Sequence, residues 1–405
     1  MAETLLIKLA AVFAVIVVFL LFHKPLNLAC LGGLVVFALL FKVPVSDCFR
    51  LAWKALSTWS SLSVVVSLFL ILFLQQIMSR RHLIEQAQED LNNLFHNRRV
   101  TVIGAPMFIG LLPSAGALIL AGDIVKRNTE GYLDAEDQAY ITTWIRHVPE
   151  SIMPTYPCVL LLAEIAGVPL GTFLPFMLIP SVVLILLGYF PFLRKIPREP
   201  VSTTTVSRGS AAVGLIKHLW PLLLTIGLII AFNMDTALSL LISIVIGLAV
   251  YRFSWAEIKD IARKSLDVRL MLNTYLVLVL KEFIAYSGVL QVLPDVLSNL
   301  PIPTYLVFTL MFMIGSFISG STGMVAMGAP LAFAALQGTA ALPLMILLNC
   351  VNHAVTQLAP THICIVIAAD YFKVELWAVI KKSIPRAVIF VLFAIGYYHV
   401  LTGLL

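Results

Sequence analysis

Stretches of about twenty consecutive apolar residues recur along the whole chain, and segments of that length and character need lipid to face. They lie at roughly 4–22, 26–42, 58–78, 140–166, 171–193, 212–232, 235–252, 268–290, 341–368 and 376–403. Each is predicted to be helical, because a lone segment in hydrocarbon must close its own backbone hydrogen bonds. Those at 140–166 and 341–368 are interrupted by Pro and polar residues and read as broken helices. Ten crossings follow.

Two further apolar segments, about 100–125 and 303–337, carry Pro, Gly, Ser and Thr near their middles. Each reads as two half-length helices meeting at a turn, a re-entrant hairpin that enters and leaves on one side. Composition agrees with a membrane fold. Of 405 residues, 60% are hydrophobic and 12% charged, about half the charge of a soluble protein. The net charge of +6 belongs to loops that flank apolar runs, which argues for orientation in a bilayer and against nucleic-acid binding.

Charge placement tests the layout. With each hairpin counted as no crossing, one face receives Lys24, Arg80, Arg81, Arg98, Arg99, Lys126, Arg127, Arg194, Lys195, Arg198 and Arg208. The second half adds Arg252, Lys259, Arg263, Lys264, Arg269, Lys373, Lys381, Lys382 and Arg386 to that face, while the other face keeps only Lys42, Arg50 and Lys54. Positive loops stay cytoplasmic, so both termini are expected outside, in a multi-pass protein of the inner (plasma) membrane. Pro44–Leu56 and Ser254–Lys264 mix charges with Trp, Phe and Ile and suit helices lying in the interface.

The first segment, Met1–Phe22, lacks a small-x-small cleavage site and reads as a span, not a signal peptide. The five cysteines, Cys30, Cys48, Cys158, Cys350 and Cys364, form no CxxC pair, so neither a zinc site nor a disulfide framework is expected. No His-Glu-x-x-His, GxSxG or Walker sequence occurs. An intramembrane enzyme built on His147 and Glu150, which share a helical face, is the weaker alternative.

The chain also resembles itself. A shift of 206 residues lays His147 on His353, Pro154-Thr155 on Pro360-Thr361 and Cys158 on Cys364. The same shift lays Glu164 on Asp370, and a shift of 207 sets Ser114-Ala115-Gly116 on Ser321-Thr322-Gly323. Ordered matches of Pro, Thr, His and Cys mark a duplicated architecture. The halves are residues 1–193, with scaffold helices 1–97 and hairpin plus broken helix 98–193, and 212–405, divided at 212–290 and 300–405. A Pro- and Ser/Thr-rich cytoplasmic linker, 194–211, joins them. Five crossings per half invert the second half relative to the first, a recurring transporter plan.

The hairpin tips PMFIGLLPSAGALILAG and GSFISGSTGMVAMGAPL, with the broken spans PTYPC and QLAPTHICIVIAADYF, carry a resemblance to the ion transporter superfamily. That group includes divalent-anion/sodium symporters, citrate carriers and gluconate permeases, and the chain most resembles an uncharacterised domain-of-unknown-function family within it. The resemblance implies an all-α homodimeric carrier of the elevator type, in which hairpins and broken helices move as a block against scaffold helices. The sodium–dicarboxylate branch bears Ser-Asn-Thr at each tip. Here the second tip, Ser319-Gly320-Ser321-Thr322-Gly323, keeps hydroxyls without the Asn, and the first keeps only Ser114.

Interrupted helices present free N–H groups and about half a positive charge at each N-terminus. New half-helices are expected to open at Pro154-Thr155, at Pro360-Thr361 and at both hairpin tips. The predicted ligand is therefore a small anionic solute, a carboxylate, held by Ser114, Ala115, Gly116, Thr155, Ser319, Ser321, Thr322, Gly323 and Thr361. The plainer role for any single hydroxyl is a bond to its own helix carbonyl. His147, Glu150, His353 and His362 are candidates for the coupling ion or proton, and sodium at the hairpin tips is the one candidate cofactor. Lys281-Glu282 reads as a neutralising pair, with Glu164 reaching the interface. The expected function is secondary active transport, with an anion channel or gated pore as the alternative.

Overall fold

The computed structural model describes residues 2–22, 24–111, 115–199, 206–299, 301–336, 341–360 and 362–404, and all its regular elements there are helical. The first half runs α1 (Ala2–Leu21), α2 (Leu26–Leu40), α3 (Val45–Ser57), α4 (Trp59–Arg80) and α5 (Leu83–Phe95). It continues with α6 (Arg98–Gly110), α7 (Ala115–Thr129), α8 (Ala135–Arg146), α9 (Val148–Ile152), α10 (Pro157–Ala166) and α11 (Leu170–Tyr189). The second half opens with α12 (Arg208–Phe232), α13 (Thr236–Val250), α14 (Trp255–Ser265), α15 (Val268–Tyr286) and α16 (Val289–Ser298). It ends with α17 (Thr304–Ala335), α18 (Ala341–Thr356), α19 (Ile363–Phe372) and α20 (Leu376–Leu404).

Local chemistry repeats between the halves. At the end of α10 the left-handed Gly167 (φ 65°) lets Val168 N–H reach the Ala163 carbonyl at 3.1 Å. At the end of α19 the left-handed Lys373 (φ 56°) lets Val374 N–H reach Ala369 at 3.0 Å. Both closures satisfy carbonyls that a helix end otherwise leaves open. Lys42 (φ 54°) and Arg252 (φ 50°) do the same after α2 and α13, with Val43 N–H on Ala38 and Phe253 N–H on Leu248.

α17 is not a straight rod. Gly320 has φ 73° and ψ 174°, a conformation essentially restricted to glycine. A side chain placed on Gly328 would come 2.8 Å from the Phe312 ring, and one on Gly315 would strike Met324. In a continuous helix residues 312 and 328 would stand about 24 Å apart. The chain therefore doubles back at Gly320, and its two arms pack antiparallel. In the first half α6 packs along α7, and the turn between them lies outside the described residues.

Two bodies result. α4 packs on α13 and α14, α5 on α12, and α15 on α2 and α3, so the first five helices interleave with α12–α16. α7 and α8 pack on α19, α8 and α18 on α20, and α10 and α18 on α17, which groups the remaining helices. The amphipathic helices tie across the halves. Lys54 of α3 meets Glu282 of α15 at 2.7 Å and the Tyr286 hydroxyl donates to Asp47 at 2.8 Å. Reciprocally, Arg80 and Arg81 at the end of α4 pair with Asp260 and Glu257 of α14.

Among the described residues six helices are long and apolar enough to cross a bilayer, α1, α4, α11, α12, α17 and α20, with α17 reaching that length only by adding its two arms. A seventh comes from α15 and α16, bent by 74° at their junction, if that pair counts as one span. Length alone therefore supports six or seven spans against the ten crossings expected, two of which were expected to be broken. α2 and α13 have 15 residues each, about 22 Å, and the broken segments are divided among α8–α10 and α18–α19. The interruptions fall inside 140–166 and 341–368, the two segments whose Pro and polar residues marked them as broken.

Candidate functional site

α8 ends at Arg146, α9 adds one more turn, and the chain then opens at Met153 (ψ 132°) before α10. α10 begins at Pro157, whose ring fits the first helical turn and whose missing N–H costs nothing there. α19 begins at Ile363, with His362 at the cap. Both half-helices thus start two or three residues later than Pro154-Thr155 and Pro360-Thr361 predict. Neither Tyr156 nor His362 caps its helix with a side chain, so these N-termini keep their positive ends.

A cavity of about 70 Å³ lies where the interruptions converge. His147, Glu150 and Tyr156 to Cys158 line it from the first half. Ser321 and Thr322 come from the second arm of α17, Asn349, Asn352, His353 and Thr356 from α18, and Gln357 and His362 from the stretch that follows. A larger crevice of about 350 Å³, bordered by Ser67, Glu164, Gly167, Asn233 and Asp235, lies between the two bodies. It collects fewer interrupted ends, and the smaller cavity is the better candidate site.

The side chains there are ordered by specific bonds. His147 Nδ1 lies 2.5 Å from the Thr143 carbonyl, which only accepts, so Nδ1 carries the proton. Nε2 of neutral His147 is then an acceptor, and the 2.8 Å contact to His362 Nε2 requires His362 to donate. Buried Arg146 stands 3.4 Å from Glu150 and neutralises it. The Tyr156 hydroxyl bonds the Gly110 carbonyl, fixing the opened chain to the end of α6. The Asn349 amide donates to Ser151 at 2.7 Å, tying α18 to α9. Asn352 accepts from Ser316 at 2.7 Å, while its Nδ2, buried at the cavity wall, has no hydrogen-bond partner among the described residues. A buried donor left open costs about 1–3 kcal/mol.

Of the residues predicted from sequence, His147, Glu150, Ser321, Thr322, His353 and His362 come together around this cavity. Ser321 bonds the Cys158 thiol. Thr155 sits in the connection before α10 and Gly323 lies beneath Ser319, where an added side chain would come within 3.0 Å of it; neither lines the cavity. The Ser319 hydroxyl donates to the Gly315 carbonyl of its own helix at 2.7 Å, the plainer of its two roles. Ala115 and Gly116 open α7, whereas Ser114 and Thr361 lie outside the described residues.

Lys281 and Glu282 do not pair with each other. Successive helix positions point about 100° apart, so Lys281 turns inward to Glu164 at 3.3 Å and Glu282 outward to Lys54. Glu164 accordingly faces Lys281 and Ser61 instead of reaching for the interface. Sequence reasoning missed Asn349, Asn352, Thr356 and Gln357. Asn349, Asn352 and Thr356, spaced three and four residues apart along the apolar α18, form a polar stripe that ends just before Gln357, the signal that would have found them.

The fold is similar to that of the YdaH transporter of Alcanivorax borkumensis, whose crystal structure is described as having an unusual topology. The TM-score is 0.63 at 12% identity, covering 89% of this chain and 88% of that one. At such identity the likeness is one of fold. No curated protein matches the chain. The profile of a family described as "Protein of unknown function (DUF401)" matches residues 5–401.

Proposed function

The chain thus belongs to the DUF401 family, and from that premise we propose that it is a secondary active transporter of a small anionic solute, a carboxylate. The observation that carries this reading is the convergence of interrupted helices from both halves on one buried polar cavity. Breaking helices within a bilayer strands backbone groups at several kcal/mol each unless they find partners, and carriers use those ends to hold solutes.

In this reading the two halves are inverted repeats, with ten crossings and two re-entrant hairpins, α6–α7 and α17. Both termini face outside. The body holding the hairpins, α8–α11 and α18–α20 moves as a block against the scaffold of α1–α5 and α12–α16, and two chains join through their scaffolds. The N-termini of α10, α19 and the second arm of α17 favour negative charge. The Asn352 amide supplies a donor without a partner among the described residues, and Ser321 and Thr322 supply hydroxyls beside it. Coupling is to sodium or to protons, with His147, Glu150, His353 and His362 at the place where the coupled charge would be held. The fold likeness to a transporter over most of the chain supports the same class. Electrophysiology separates this carrier from a gated anion pore, since a pore would show currents beyond carrier turnover.

The test is a thermal-shift screen of mono- and dicarboxylates, with and without sodium and across pH, followed by uptake into proteoliposomes. A ligand that binds only the folded state raises the melting temperature by mass action. The proposal expects a carboxylate that shifts melting and is taken up against its gradient. If no small anion shifts melting while a neutral or cationic solute does, the anion assignment is wrong.

A further inference from the structure

At one edge of the cavity the fold assembles a set of ligands that no sequence motif announces. One ring nitrogen each of His147 and His362 and the Cys364 Sγ all lie within 4.8 Å of one another. We propose that these side chains form a binding site for a borderline-soft divalent metal ion of the zinc class, with Glu150 as fourth ligand. The donor set argues for the ion. Two imidazoles and a thiolate select zinc-like metals over sodium, magnesium or calcium, which prefer oxygen.

The surroundings are those a metal site needs. His147 gives its Nδ1 proton to the Thr143 carbonyl at 2.5 Å, which fixes the ring and leaves the Nε2 lone pair facing His362. A carbonyl or carboxylate behind the ligating imidazole is the usual support for a metal-bound histidine. Arg146 Nη1 lies 3.5 Å from Cys364 Sγ, so a guanidinium stands beside the sulfur to balance its charge once the metal has displaced the thiol proton. Glu150 Oε1 stands 3.8 Å from His147 Nε2 and outside the three-ligand cluster, so it is the ligand that moves to complete the set.

The two Nε2 atoms are 2.8 Å apart. Two nitrogens on one tetrahedral zinc stand about 3.3 Å apart, given bonds of roughly 2.0–2.1 Å. The rings must therefore separate by about half an ångström, and His362 moves its Nε2 proton to Nδ1. The Cys364 thiol proton leaves to solvent as the Sγ–metal bond forms. No redox change is involved. Arg146 and Glu150 cancel, so the site gains one positive charge, the dication less the released proton.

The experiment uses the full-length protein in detergent with a non-thiol reductant, titrated with cobalt(II) as the probe. Expected are a sulfur-to-cobalt charge-transfer band and intense tetrahedral visible bands, saturating at one cobalt per chain and erased by zinc. Cys364→Ser removes the charge-transfer band. His362→Gln weakens cobalt binding by at least the roughly 10–100-fold that loss of an outer partner costs, and Cys158→Ser leaves both intact. His362 is chosen because it is only partly buried, whereas His147 is fully enclosed. A charge-transfer band that persists in Cys364→Ser with unchanged melting overturns the proposal, as does the absence of saturable cobalt absorbance. The readout is independent of transport: a chain that moves no anion yet shows these bands keeps the site.

Discussion

His147 and His362, 215 positions apart in the chain, meet ring to ring through a 2.8 Å contact between their Nε2 atoms. The pair crosses from one half to the other at the level of both helix interruptions. Residues around it are held by bonds to backbone carbonyls, as with Thr143 and Gly110. The cavity is therefore framed by fixed polar groups, and this allows its behaviour to be tested one residue at a time.

Asn352 supplies the clearest test of anion binding. Asn352→Leu keeps the size of the side chain and removes the open Nδ2 donor. A hydrogen bond to a charged group contributes about 1.5–3 kcal/mol, so carboxylate affinity should fall by roughly 10–100-fold. Titrating the ligand-induced rise in melting temperature measures it. Unchanged affinity would remove Asn352 from the binding site.

Gly320 tests the reversal within α17. Its φ of 73° with ψ 174° is strained for any residue with a side chain, while the space around its Cα is open. Gly320→Ala should therefore destabilise through the backbone alone, by about 1–3 kcal/mol, measured as a drop in melting temperature. An unchanged transition would mean that the arms join by another geometry.

The Glu164–Lys281 pair, with side chains 13% and 27% exposed, joins α10 of one body to α15 of the other. Lys281→Met alone leaves Glu164 poorly partnered and should cost about 1–3 kcal/mol, below the 3–5 of a fully buried pair because water still reaches it. Adding Glu164→Gln should restore part of that loss. A double-mutant cycle on thermal stability reads the coupling, and purely additive losses would show that the ions do not sense each other.

Interfacial α14 should respond to acid. Ser254's backbone and hydroxyl, then Arg81, hold the Glu257 carboxyl below its ordinary value of 4.5. A depressed carboxylate stabilises above its unfolded pKa, and that contribution disappears as pH falls through the folded value. Hydrogen exchange across Trp255–Ser265 should therefore stay slow from neutral pH down to the ordinary carboxylate range and accelerate below it, after correction for intrinsic rates. Arg81→Gln should move the onset to higher pH, and an onset indifferent to Arg81 would discount the ion pair.

Much of this architecture was legible in the sequence because lipid imposes a simple demand on apolar runs. The matched Gly167 and Lys373 closures sit where the 206-residue shift puts them. The exact opening of α10 was less legible: Pro154 and Pro157 are both compatible with a first helical turn, and only packing decides between them. Lys281 and Glu282, adjacent in sequence, separate because a helix points neighbours apart. Cys364 belongs to no CxxC pair, and nothing in its local sequence reveals His147 and Arg146 beside it. Ser114 and Thr361 lie outside the described residues.

The reciprocal ties of α3 to α15 and of α14 to α4 bear on how the chain is made. The end of α4 is finished by the ribosome long before its acidic partners, Asp260 and Glu257, exist. Until α14 emerges, Arg80 and Arg81 have only water and lipid headgroups to meet. Assembly of the scaffold is thus a late, long-range event, and two fragments severed between the halves would each lack the clasp that the other carries.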